Sequence, residues 1–372
     1  MGRCLGQAVI LRGARVALSA RRVERMDLGI EEGRFRFEAE GCDGPELDLK
    51  GTLLVPGLIN AHDHLEFSIF PRLGSGPYRN ATEWARDIYR PDESPVRELL
   101  AVPKAARLWW GGLKNLLSGA TTVMHHNPWE AVFERKFPVR VVRRYGWAHS
   151  VAFTPDFAER YRETPPDVPF FMHAGEGTDE CASQELTRME EGGALGPNTV
   201  VIHGVAANTD VLQRAGASLI WCPTSNRFTL GRTLDAEAFQ SGVPLALGTD
   251  SPMTAAGDLI DEIEAAAPVV GWGQVYEMVT SDAARILRLE DGEGEIRDGG
   301  VADFVALRDT GIPPAESLRG MRPLSVWIGG EKRVEADDSG ALGLEGRGRY
   351  RVACDLPDIT PGLKLAGRQV SR

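Results

Sequence analysis

The sequence predicts an α/β protein: a (β/α)8 barrel, with either a full set of αβ units or one shortened, plus a small β-sandwich built from both chain ends. Three observations predict it. Eight short apolar runs alternate with helical patterns between Leu58 and Leu247. Histidine or aspartate closes several of those runs, where barrel enzymes place their chemistry. Short strands and glycine turns fill the chain before residue 56 and after about residue 310.

The N-terminal part, 1–55, reads as short strands. Ala8–Leu11 and Arg15–Leu18 are apolar runs, "EEGRFRF" is a tight turn between two more, and Gly41–Pro45 is a loop. Residues 56–310 form the expected barrel. Its candidate strands are Leu58–Ala61, Thr121–Met124, Val139–Val142, Ser150–Phe153, Val168–Met172, Thr199–Ile202, Ser218–Trp221 and Val243–Leu247. Candidate helices are Leu99–Leu117 stopped by Gly119, a short one capped by Thr209 and closed by Gly216, then Asp258–Ala267 and Val275–Leu289. Only Arg143–His149 separates the third and fourth strands, too little for a parallel crossover helix. Either one unit is shortened or one long strand has been split. Residues 311–372 return to strands, with "SVWIGGEKRVEA" a hairpin, and complete the β-sandwich.

Composition narrows the function. The chain has 372 residues, 42% hydrophobic and 26% charged, a globular balance. Its net charge of −11 argues against nucleic acid and anionic membranes as partners. The five cysteines lack a CxxC pair, no run approaches 18 apolar residues, and the N-terminus has no secretory pattern. A cytoplasmic protein acting on a small molecule is expected, as a monomer or a homo-oligomer.

All seven histidines fall between His62 and His203. In "PGLINAHDHLEF", His62 and His64 are two apart at a strand end and share a face, with Asp63 on the other. "FFMHAGEG" ends a strand on His173, with Glu176 three residues on; "TVVIHG" ends on His203; "LALGTDSP" ends on Asp250. Imidazoles with one carboxylate suit Zn²⁺, and also Fe²⁺ or Mn²⁺.

These segments, with "SGATTV", "HAGEGTDE", "WCPTSN" and "TSDAARILRLEDGEGEIRDGGVADFVAL", resemble the amidohydrolase superfamily. The nearest branch holds cytosine, guanine and S-adenosylhomocysteine deaminases. The resemblance implies a TIM-like barrel and one divalent metal ion, held by His62, His64, His173 and Asp250. It implies that a metal-bound hydroxide attacks an amino-bearing ring carbon of a small heterocycle and releases ammonia. Asp250 would orient the water and take its proton, Glu176 would move a proton to a substrate nitrogen, and His203 would hydrogen-bond the hydroxide or the tetrahedral centre. Some members bridge two metals with a carboxylated lysine; this chain has no lysine between Lys136 and Lys332, which points to a single ion. The alternatives are hydrolysis of a cyclic amide or of another C–N or C–halogen bond on the same barrel, and a non-catalytic metal or ligand binder.

The substrate contacts read from the sequence are His126, as one of the pair His125–His126, together with His149, Trp84 and Arg227. Each has a structural alternative: a local hydrogen bond for the histidines, packing for Trp84, a solvated loop for Arg227. Glu66 could support the His62–His64 pair, and Trp129 could stack or pack. Ser68–Pro95 follows that pair directly and is expected to be a lid or substrate loop.

Overall fold

The computed structural model describes residues 8–336, 343–344 and 348–352. Cys4, Cys354 and the outer ends of the expected β-domain lie outside the described residues.

Eight parallel strands carry the central part: β1 (Leu58–Asp63), β2 (Ala120–His125), β3 (Arg140–Val141), β4 (Gly146–Ser150), β5 (Phe170–Ala174), β6 (Thr199–His203), β7 (Ser218–Trp221) and β8 (Leu245–Leu247). They form a three-stranded sheet, β1-β2-β3, and a five-stranded one, β8-β7-β6-β5-β4. Backbone bonds from Thr249 and Asp250 to the His62 carbonyl, at 2.9 and 3.0 Å, join the segment after β8 to β1. One strand face gathers Ile59, Ala61, Met124, Phe171, Val200, Ile202, Ile220 and Ala246 into a shared apolar layer. Leu58, Val123, Phe170, Met172, Val201, Leu219 and Leu245 pack into a second cluster with residues of the surrounding helices. Both faces are therefore buried, as the near-continuous apolar runs require.

The third and fourth strands are separate; the third falls within its expected run and the fourth lies N-terminal to its own. Strand β3 pairs with β2 and β4 with β5, and only residues 142–145 join them, without a helix. The fourth strand is Gly146–Ser150, where Ser150–Phe153 was expected.

Four local expectations are corrected. Leu99–Leu117 is two helices, Val96–Ala101 and Lys104–Leu117, because Pro103 sits at the junction in an extended conformation. Asn208 replaces Thr209 as the cap: its side chain accepts from the amides of Asp210 and Val211, and Gly216 ends that helix at φ 68°. Val275–Leu289 is likewise two helices, Trp272–Met278 and Ser281–Ile286. The two N-terminal runs form one strand, Val9–Ala17, with an irregular register between Leu11 and Ala14.

Both chain ends build one ten-stranded sheet. At its centre Phe304–Arg308 runs antiparallel to Thr52–Pro56, so the return into this sheet begins at Phe304. The hairpin Ser325–Ile328/Glu331–Ala336 is present. Leu11, Leu28, Ile30, Phe35, Leu54 and Phe304 form its core. Buried Asp303 ties this sheet to β3: it takes both arms of the Arg140 guanidinium, at 3.0 and 3.1 Å, and the Gly329 amide at 2.7 Å.

Candidate active site

The C-terminal ends of β1, β5, β6 and β8 meet at one point. In β1 the ladder slips between Asn60 and Asp63. Past it His62 enters the buried histidine cluster while Asp63 points away, to Asn115 Nδ2 at 2.8 Å and Lys114 Nζ at 2.9 Å. Asn60 holds this turn: its Oδ1 accepts from the amides of His62 and Thr249, and its Nδ2 donates to Thr249 Oγ1 at 2.8 Å. Gly248 is needed because a Cβ there would lie 2.6 Å from His62 Cβ. His203 and Asp250 both adopt left-handed backbone, at φ 70° and 59°. Non-glycine residues rarely do so, and such strain gathers at functional sites.

The ligand-type atoms are close. His173 Nε2 is 3.3 Å from His62 Nε2 and 3.4 Å from His64 Nε2. Asp250 Oδ1 is 3.7 Å from Nε2 of both His62 and His64. Tetrahedral ligands at zinc–nitrogen distances would sit about 3.4 Å apart. His173 Nδ1 lies 2.7 Å from the His149 carbonyl, which has no proton to give. That nitrogen therefore carries the ring hydrogen, and His173 Nε2 presents a lone pair to the other two imidazoles. Burial holds His62 below the usual histidine range, and His64 and His173 well below it. Neutral imidazole lone pairs converging beside a carboxylate fit a divalent cation. His62, His64, His126 and His173 form one group able to hold an ion, and His62, His203 and Asp250 another.

Asp250 Oδ2 accepts from Ser225 Oγ and Thr254 Oγ1, both at 2.7 Å, which leaves Oδ1 for the imidazoles. His203 Nδ1 is 2.7 Å from Asn226 Oδ1, so its Nε2 turns to Glu176 Oε1 at 3.7 Å and Asp250 Oδ2 at 4.0 Å. Burial pushes the Glu176 carboxyl up to about 7. Burial does the same to Glu185, whose Oε2 accepts from the Gly175 amide at 2.8 Å.

A cavity of about 1100 Å³ opens over this cluster. Of the expected contacts, Trp84 and His149 line it, with Trp84 Nε1 donating to the Leu73 carbonyl at 3.0 Å. His126 is fully buried and does not line the cavity: its ring lies 4.4 Å from that of His173, and its Nε2 lies 3.0 Å from the Ala148 carbonyl. His125 faces away and accepts from the Leu65 amide, so one of the adjacent pair enters the cluster, as strand alternation requires. Arg227 is exposed and lies outside the cavity lining, on a solvated helix face. Trp129 packs edge-on against Phe133. Glu66 accepts from Asn127 Nδ2 at 2.7 Å and lines the cavity. The segment Ser68–Pro95 contains a helix, Ala81–Ile88, capped by Asn80, and residues Arg79–Tyr89 form much of the wall.

Ser225, Asn226, Thr254 and Glu185 were not singled out as site residues from sequence. Two of them lie inside the motif "WCPTSN", which was the available signal.

Residues 165–333 match the model of the Amidohydrolase family. A 5-methylthioadenosine/S-adenosylhomocysteine deaminase of Teredinibacter turnerae is 27% identical, over 78% of this chain and 82% of that one. Guanine deaminase of Escherichia coli is 24% identical, over 80% and 84%. Among solved structures, a zinc-bound adenosine deaminase from Xanthomonas campestris superposes with a TM-score of 0.72 at 17% identity, covering 87% of this chain and 92% of that one. Atrazine chlorohydrolase from Arthrobacter aurescens, complexed with zinc, gives 0.72 at 16%, covering 88% and 95%. Residues 165–333 thus match the Amidohydrolase family model, and the fold over most of the chain is shared with these solved structures.

Proposed function

We propose that this protein is a metal-dependent aminohydrolase that replaces an amino group on a ring carbon of a small nitrogen heterocycle by oxygen and releases ammonia. The observation that carries the reading is the convergence of His62, His64 and His173, with Asp250 against His62 and His64, near Glu176, a carboxyl poised near neutrality. The chemistry a bound divalent cation supplies, zinc by likeness to the zinc-bound neighbours, is a water acidified toward neutral pH.

The chain's own groups do the rest. Ser225 and Thr254 hold Asp250 by one oxygen, so the other is free to orient the attacking water and take up its proton. Glu176 lines the cavity and exchanges protons near pH 7, which suits delivery of a proton to a ring nitrogen and then to the departing amine. His203, its Nδ1–H committed to Asn226, turns Nε2 to the same space and engages the water or the developing tetrahedral centre. Trp84 and His149 supply flat surfaces for a heterocycle.

The relatives' names as deaminases of 5-methylthioadenosine, S-adenosylhomocysteine and guanine favour an aminopurine substrate. The same reading includes closure of β1–β8 into one barrel, a β-domain from residues 1–55 and from Phe304 onward, in place of the expected 311, and residence in the cytoplasm. No helix among the described residues is long and apolar enough to cross a membrane. A screen of aminated purines, pyrimidines, pterins and triazines for ammonia release tests the reaction. Release of halide from a halogenated ring without ammonia from any amine would overturn it.

A further inference from the structure

The carboxyl of Glu262 is completely buried on the helix Leu259–Val270. Among the described residues no lysine or arginine pairs with it, and burial pushes it up to about 8. A buried acid without a cation is costly unless its hydrogen bonds do something for the molecule. Both oxygens engage one residue: Oε2 accepts from the Thr224 amide at 3.0 Å, and Oε1 contacts the Thr224 hydroxyl. That hydroxyl also accepts from the Ala256 amide at 2.9 Å, so Thr224 is fastened from two sides.

Thr224 itself touches none of the reacting groups, but the next two residues do. Ser225 donates to Asp250, and Asn226 holds Nδ1 of His203. All three lie in the first turn of the helix Pro223–Leu230 after β7. The N-cap of that helix, Cys222, provides no side-chain bond, so Glu262 supplies what the local sequence lacks. Ser225 is further bonded to Thr254, which also donates to Asp250.

We propose that Glu262 is a positioning residue: through Thr224 it sets the turn whose Ser225 and Asn226 aim Asp250 at the metal-binding imidazoles and His203 at Glu176. The proposal rests on the roles given above to Asp250 and His203. It separates two layers of support, one in contact with the working groups and one that fixes the contact residues.

The test compares Glu262→Leu, Glu262→Gln and Thr224→Val with wild type, all loaded with Co²⁺ after chelation. Read-outs are Co²⁺ affinity, the visible absorption of bound Co²⁺, and kcat and KM for any amine the wild type deaminates. Glu262→Leu should bind Co²⁺ about tenfold more weakly, the scale of a lost orienting contact, with an altered spectrum and a fall in kcat larger than any rise in KM. Glu262→Gln, which keeps an acceptor for the Thr224 amide, should restore the wild-type spectrum. Thr224→Val, a milder change in the same chain of contacts, should alter the spectrum in the same sense as the leucine variant. A wild-type spectrum and affinity in Glu262→Leu or in Thr224→Val overturns the proposal, as does a glutamine variant as impaired as the leucine one. Failure of wild type to release ammonia would instead overturn the aminohydrolase reading and leave the cobalt comparison standing.

Discussion

At the scale of single residues, the site divides buried groups that could hold an ion from a carboxyl that faces the cavity. His62 is fully buried with its Nε2 in the cluster, whereas Glu176 faces the cavity beside His203. His62→Ala should leave the protein without its metal, as measured by elemental analysis. Glu176→Gln should keep the metal and lose about 10²–10⁴ in kcat, the usual worth of a proton-transfer group. Loss of metal in the glutamine variant would contradict its role. That His62, His64, His173, His203 and Asp250 would gather was legible in the sequence because each lies at or just past the end of an apolar run, and strand geometry fixes where such residues point. Ser225, Asn226 and Glu262 were not. Hydroxyls, amides and carboxylates are common on surfaces, and only packing of one helix turn against another gives these three their partners. Arg227 shows the converse: it directly follows the same motif but lies on the solvated face.

At the scale of elements, most strands of the central part were read to within about two residues, the fourth was placed four residues too late, and helix limits were missed. Pro103 interrupts Leu99–Leu117, and its effect on the preceding turn was legible in principle. The cap at Asn208 beside Thr209 was not, since both side chains can cap. The segment Ser68–Pro95 supplies a cavity wall through its helix Ala81–Ile88, none of whose residues is fully buried. Deleting it should abolish turnover while metal content stays at the wild-type level; unchanged turnover would show that the wall is dispensable. The helix Leu259–Val270 makes a prediction about pH. Glu262 titrates at about 8 in the folded chain against 4.5 for the free group. The folded state therefore binds more protons between those values, and the stability this contributes is present below pH 4.5 and lost as pH rises through 8. In chelator-treated protein, the melting temperature of wild type should fall from pH 5 to 8 relative to Glu262→Gln. Parallel curves for the two proteins would contradict the buried acid.

At the scale of the whole molecule, two parallel sheets present their strand ends to one cavity, and a ten-stranded sheet drawn from both chain ends is tied to β3 through Asp303 and Arg140. Fold class was legible because alternating apolar runs and helices admit few arrangements. The β3–β4 connection was ambiguous because a two-residue strand leaves almost no pattern to read. The central claim is that this scaffold holds one divalent ion and uses it to remove an amino group. The most direct measurement joins elemental analysis of the purified protein to ammonia release from aminopurines before and after chelation. About one ion per chain is expected, with ammonia formed in step with product, lost on chelation and restored by Zn²⁺. Metal-free protein that releases ammonia at the same rate would contradict it.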